Sequence, residues 1–304
     1  MKRLILILTI TVIGFVLTVN APANTIVTDG LVSYWSFDRT TITDNIIEDI
    51  WGENDVTLVG NPIITDGHIK QGIELDGDWD YVKIPNVGNF GSKIGAYTFE
   101  VWFKTTYKEK MSAIYKVEEG HCIGDKSGFG LLINAMWDPI NDTFETVEDR
   151  FVINDSVKKG RNNCINRITT VHRPVSDGEW HHIVWTSREP TEEEAKELKI
   201  NFGKTLEGNC QKIALYIDKV SVYDPIYCTF PITSRPYLEP IYLGAVNTVG
   251  NASDFFKGVF DEVRIYDRAL EHDEVFRNYH SRIGYSVEPV QKLPTVWGAL
   301  KRSR

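Results

Sequence analysis

The stretch GVFDEVRIYDRAL, residues 258–270, carries a strand-like run with two neighbouring carboxylates, Asp261 and Glu262, near its start. From Val259 to Tyr266 its side chains alternate with a period of two and are rich in β-branched and aromatic types, the pattern of a strand in an antiparallel sheet. Runs of the same kind recur with turn residues between them: LVSYWSF (31–37), GIEL (72–75), DYVKI (80–84), YTFEVWFKT (97–105), SAIYKV (112–117), LLINAM (131–136), RFVIN (150–154), HHIVWTS (181–187), IALYI (213–217) and PIYLGAV (240–246). Helix is scarce. Thr191 with Glu194 forms a capping box that predicts one helix over 191–199, and a second is expected at about 271–280. Many short strands without strand-helix alternation predict an all-β fold, a two-sheet antiparallel sandwich with short helices in loops.

The period of two places Asp261, Val263 and Ile265 on one face and Glu262, Arg264 and Tyr266 on the other. The neighbouring carboxylates Asp261 and Glu262 therefore cannot act as one catalytic pair. Glu262 becomes a partner for Arg264. Asp261 shares a face with core aliphatics and must be hydrogen-bonded or metal-bound, since burying it unpaired costs several kcal/mol.

The chain begins MKRLILILTITVIGFVLTVNAPA: Lys2 and Arg3, an apolar run from Leu4 to Val19, then the small-residue site Ala21-Pro22-Ala23. This is the pattern of a signal peptide over 1–23, so the protein is expected to be secreted or extracellular, in the periplasm or at the cell surface. The body, 24–285, reads as one domain with loop insertions at 118–127, 138–149, 156–173 and 188–211, and 286–304 reads as a flexible C-terminal tail. With 33 basic against 42 acidic side chains, the formal net charge of −9 argues against nucleic acid or an anionic membrane as partner. No second apolar run is long enough to span a bilayer once the leader is removed. In an exported chain, Cys122, Cys164, Cys210 and Cys228 are expected to form disulfides. The hairpin KIALYIDKVSVY (212–223) turns at Asp218-Lys219 and sets Cys210 opposite Cys228. A hairpin of 128–136 with 150–155, centred near Thr143, sets Cys122 opposite Cys164.

Six stretches, in order, resemble the motifs of the LamG-like jelly roll domain within the concanavalin A-like lectin/glucanase superfamily: GLVSYWSFD (30–38), IELDGDWDYVKIP (73–85, read as a hairpin), YTFEVWFKT, EWHHIVWTS (179–187), IALYIDKVSVY (213–223) and GVFDEVRIYDRAL. The resemblance implies a concanavalin A-like jelly roll. It implies no single activity; the chain is read as a non-catalytic binding module with a glycan as the first expected ligand, extracellular protein-protein adhesion or a surface structural role as the alternative, and a glycan-processing enzyme with acids supplied by the insertions as the third. The resemblance also implies a structural Ca²⁺ where the first and last strands meet, with Asp38 and Asp261 as ligands. The sequence departs from the family pattern at Asp218-Lys219, where Gly is usual.

Glycoside hydrolases of this fold carry E-x-D-x-x-E on one strand, which places two carboxylates around a scissile bond. That motif does not occur, and Glu100 stands alone on its strand. A G-x-S-x-G elbow is also lacking. His181 and His182 are adjacent on a strand and point to opposite faces, so they cannot bind one ion; one is expected to pack inside and the other to face out. The acidic loop 138–149 places Ile140 where an EF-hand needs a ligand and lacks the central Gly. Trp79 and Trp137, at or beside hairpin tips, are the candidate platforms for a sugar ring.

Overall fold

The structure is a computed structural model and describes residues 25–87, 90, 95–117, 128–138, 140–141, 143–159, 163–202, 210–228, 239–248 and 251–281. The leader 1–23, the tail 286–304 and Cys122 lie outside the described residues.

Among the described residues two nine-stranded antiparallel sheets face each other. The first runs, edge to edge, Val220–Tyr223, Cys210–Ile217, Trp180–Arg188, Tyr97–Lys104, Lys257–Tyr266, Gln71–Asp76 and Ile63–Asp66. Leu31–Trp35 pairs with the C-terminal half of the Lys257–Tyr266 strand, and Ile226–Cys228 with the start of Cys210–Ile217. The second runs Asn163–His172, Thr143–Lys159, Gly128–Asp138, Met111–Val117, Ile241–Leu243, Tyr81–Ile84, Val56–Val59, Ile46–Ile47 and Ile42–Thr43. A small hairpin, Val246–Thr248 with Asn251–Ser253, forms its own two-stranded sheet, with Val246 packed against Tyr115 and Leu132 of the second.

Alternation sends one set of side chains from each sheet into a common core: Phe99, Val101, Phe103, Ile183, Trp185, Leu215, Phe260, Val263 and Ile265 from the first, and Val82, Ile84, Ile114, Leu131, Ile133, Phe151, Ile241 and Leu243 from the second. A second apolar cluster lies on the other face of the first sheet, where Ile26, Val27, Leu31, Tyr34, Val184 and Tyr266 pack with Leu270 and Val275. Val275 belongs to the helix His272–His280, which starts with a capping box between Glu271 and Glu274. The other helix, Glu192–Phe202, carries the predicted box: Thr191 N–H donates to Glu194 at 2.8 Å and Glu194 N–H to Thr191 Oγ1 at 3.3 Å.

Two sequence expectations need correction. The stretch 73–85 is not a hairpin, because Gln71–Asp76 lies in the first sheet and Tyr81–Ile84 in the second. Asp76-Gly77-Asp78-Trp79-Asp80 is a corner that carries the chain between sheets, with Gly77 at φ +85° and Trp79 at φ +66°. Residues 156–173, read as a loop insertion, are mostly strand. Thr143–Lys159 continues outward and pairs with Asn163–His172, so Cys164 lies opposite Lys158 on a further hairpin, while its expected partner Cys122 lies outside the described residues. The stretch 155–168, DSVKKGRNNCINRI, is dominated by polar and charged residues without a clear apolar period, which concealed this hairpin. Cys210 does lie opposite Cys228.

Candidate functional site

The Lys257–Tyr266 strand does not keep a strict period of two. Asp261 pairs with Trp102 and Arg264 with Glu100, so two residues, Glu262 and Val263, oppose the single Val101. Glu262 takes φ +55°. This β-bulge re-aims the chain. Phe260, Val263 and Ile265 point into the core, whereas Asp261 registers with Trp102 on the opposite face, beside Glu262 and Arg264. The expectation that Asp261 and Glu262 face opposite ways is therefore corrected: both lie on the face away from the core.

That face is roofed over rather than open. Glu100, His182, Asp261, Glu262 and Arg264 are each at most 1% exposed. Arg264 donates to Glu100 at 3.0 Å and to Glu262, which also accepts from Tyr34. Glu100 further meets His182 Nε2 at 2.7 Å and accepts from Asn278 of the helix at 2.7 Å. Burial pushes the Glu100 carboxyl up, but Arg264, His182 and Asn278 outweigh it and hold the group below the usual carboxylate range. Burial raises Glu262, with Arg264 and Tyr34 opposing. The cluster joins first strand, last strand and helix, and its carboxylates are enclosed.

Asp261 accepts Ile69 N–H at 2.9 Å and Glu262 N–H at 2.9 Å, and so pins the turn 67–70 onto the sheet. Gly67 is required there, since a Cβ would lie 2.6 Å from Asp261 Oδ2. His68 of that turn stacks on Trp102 with ring centres 3.7 Å apart. Burial and then the Glu262 charge push the Asp261 carboxyl well up. Asp38 accepts from Lys70 Nζ at 2.9 Å and Gln71 N–H at 3.4 Å. Ca²⁺ takes six to eight oxygen ligands. Asp38 and Asp261 are instead surrounded by N–H donors and an ammonium, which suits hydrogen-bonded carboxylates better than a hard cation. Among the described residues no group of three or more His, Cys, Asp or Glu side chains is placed to hold a metal.

His181 and His182 do point to opposite faces, yet neither faces solvent. His181 bridges Asp218 at 2.9 Å and Asp177 at 3.0 Å. The departure at Asp218-Lys219 finds its reason here. Both residues take positive φ, +51° and +63°, as a two-residue hairpin turn requires. Gly would satisfy the backbone, but Asp218 also accepts His182 N–H at 3.0 Å, and Lys219 Nζ lies 4.6 Å from the Tyr279 ring centre on the helix.

Exposed chemistry gathers at the corner between the sheets. Trp79 is 61% exposed, held at positive φ on the short Gly77–Asp80 turn. Its ring centre lies 5.4 Å from that of Phe255, in the loop entering the last strand. Two residues on, Tyr81 meets Tyr242 edge to face at 5.8 Å, and both are half-buried. Asp80, buried, fastens the corner by accepting Asn61 N–H at 2.7 Å. Trp137 lies on the Gly128–Asp138 strand opposite Phe144, and its side chain is outside the described residues. Phe255 carried no signal in the sequence, because only the sheet crossing brings it to Trp79.

Residues 204–276 match the Laminin_G_3 family, described as Concanavalin A-like lectin/glucanases superfamily. No curated protein matches the chain. Solved structures do, at low identity. The binding domain of Paraclostridial Mosquitocidal Protein 1 is 15% identical with a TM-score of 0.50, covering 83% of this chain and 52% of that one. The Trypanosoma rangeli sialidase, solved with the inhibitor DANA, is 13% identical with a TM-score of 0.50, covering 84% and 33%. A botulinum neurotoxin type C structure, whose cell entry depends upon interaction with two ganglioside molecules, is 10% identical with a TM-score of 0.50, covering 84% and 52%. The chain thus spans about half the length of the two toxin structures and a third of the sialidase. These likenesses and the two-sheet topology give this chain the concanavalin A-like jelly-roll fold, and the resemblance to the LamG-like domains of that superfamily holds, with the family match falling on residues 204–276.

Proposed function

We propose that this protein is an exported, non-catalytic binding module that recognises carbohydrate through the corner carrying Trp79. The fold alone decides nothing about activity. The observation that carries the reading is the large exposure of Trp79 beside Phe255 on a corner fixed by Asp80. A rigid, amphipathic ring held out in water is what a sugar face stacks on, and little ordering is needed on binding. Catalysis is disfavoured by placement, because Glu100, Asp261 and Glu262 are sealed beneath the helix and the 67–70 turn. Export rests on the 1–23 leader pattern.

The experiment is a glycan array probed with the full chain and with Trp79→Ala. A central aromatic contributes about 2 kcal/mol to binding, so the variant is expected to lose ten-fold or more in affinity with an unchanged melting temperature. Unaltered binding by Trp79→Ala, or no binding to any glycan by the parent, refutes the reading; capture of extracellular protein instead would favour adhesion.

A further inference from the structure

The corner that presents Trp79 has a charge as well as a ring. Its sequence, Asp76-Gly77-Asp78-Trp79-Asp80, brings three carboxylates together, and the structure separates their roles. Asp80 is buried and structural, accepting Asn61 N–H at 2.7 Å and Asp76 N–H at 3.4 Å. Asp76 is exposed and accepts Asp78 N–H at 2.7 Å. Asp78, adjacent to Trp79, is exposed, and among the described residues its carboxylate has neither a hydrogen-bond donor nor a cation. The cation best placed to neutralise this corner is Lys257, which registers across from Asp76. Its Nζ turns away to the Tyr107 ring, 5.6 Å from the centroid, and forms no ion pair among the described residues. Glu74, exposed on the same strand, adds a further negative charge.

Resting on the carbohydrate reading above, we propose that the Trp79–Phe255 corner is a subsite for amino sugars. The apolar face of a hexosamine ring lies on Trp79, and its protonated amine pairs with the carboxylate of Asp78, with Asp76 adding to the field. Charge complementarity selects this ligand class: a uronic, sialic or sulfated sugar would bring its anion against Asp76 and Asp78, and like charges at short range are excluded. A neutral sugar would gain the stacking contact and leave the carboxylates without a partner.

The test uses the full chain with glucosamine oligosaccharides, their N-acetylated counterparts of equal length and hyaluronan oligosaccharides, in mildly acidic buffer that keeps the free amine charged. Glucosamine oligomers are expected to bind. N-acetylation and Asp78→Asn are each expected to weaken binding about fivefold, the size of an exposed ion pair, and added salt to weaken it more in the parent than in the variant. Equal affinity for free-amine and acetylated oligomers, or preference for hyaluronan, overturns the amino-sugar assignment while leaving carbohydrate binding standing. Binding to none of the three, together with an empty array, removes both. Asp78→Asn lies on an exposed turn, so loss of fold does not confound the result, and its melting curve verifies that.

Discussion

Replacing Arg264 by Met should be among the most damaging single changes in the first sheet. The guanidinium is 1% exposed and bridges Glu100 and Glu262, both equally enclosed. Met keeps the stem's volume and removes the charge, leaving Glu100 with His182, Asn278 and Tyr266 and leaving Glu262 with Tyr34. Breaking a buried pair in this way costs about 3–5 kcal/mol. For a body of this size each kcal/mol moves the melting temperature by about 2–4 °C, so a drop of about 6–20 °C is expected in calorimetry. The dependence on pH is more diagnostic. In the parent, Glu100 is held below its ordinary pKa, so its stabilisation is present above that ordinary value and is lost as pH falls through the folded one. In the variant, burial acts on Glu100 without Arg264, its pKa rises, and stability is lost as pH rises through the new value. The gap between parent and variant must therefore widen with pH across the acid range, by up to about 1.4 kcal/mol per pH unit for each such carboxyl. A drop below about 3 °C, or a gap that stays constant with pH, would refute the assignment of Arg264 as the charge that holds Glu100 below its ordinary pKa.

Other outcomes follow from the same geometry. Burial lowers the His181 pKa, but Asp218 and Asp177 outweigh it, so the ring is expected to titrate above the usual histidine value by NMR and to shift down in Asp218→Asn. Since this pKa is raised on folding, its stabilisation is complete at low pH and fades as pH rises through the folded value; a His181 titrating below the ordinary value would contradict the double clamp. Cys210 registers opposite Cys228, so non-reducing peptide mapping is expected to recover that pair as a disulfide; Cys210 joined to Cys122 would rule it out. Adding Ca²⁺ is expected to leave the melting temperature unmoved, because Asp38 and Asp261 are taken by donors; stabilisation by Ca²⁺ that vanishes in Asp261→Asn would restore the metal.

Most strands were legible because alternation of apolar and polar side chains is a local property. The first and last strands, the 97–104 and 180–188 pair and both helices could be read from short windows. The Asn163–His172 strand could not, since its stretch NCINRITTVH mixes polar and apolar residues without a clear core face and is the sheet edge. Trp79 was legible as an aromatic in a turn; its exposure was not.

From local pattern alone come the two-sheet class, the places of most long strands along the chain and the residue types on offer at the corner and in the last strand, because periodicity and turn chemistry act over a few residues. Which face Asp261 takes, that the 76–80 corner crosses between sheets and that Phe255 stands beside Trp79 are set by long-range packing. The physical reason is that a bulge adds one residue to a period of two and inverts every face assignment up to it, and a bulge is fixed by cross-strand register. Glu262 at φ +55° marks that point, and nothing local to Asp-Glu-Val announces it.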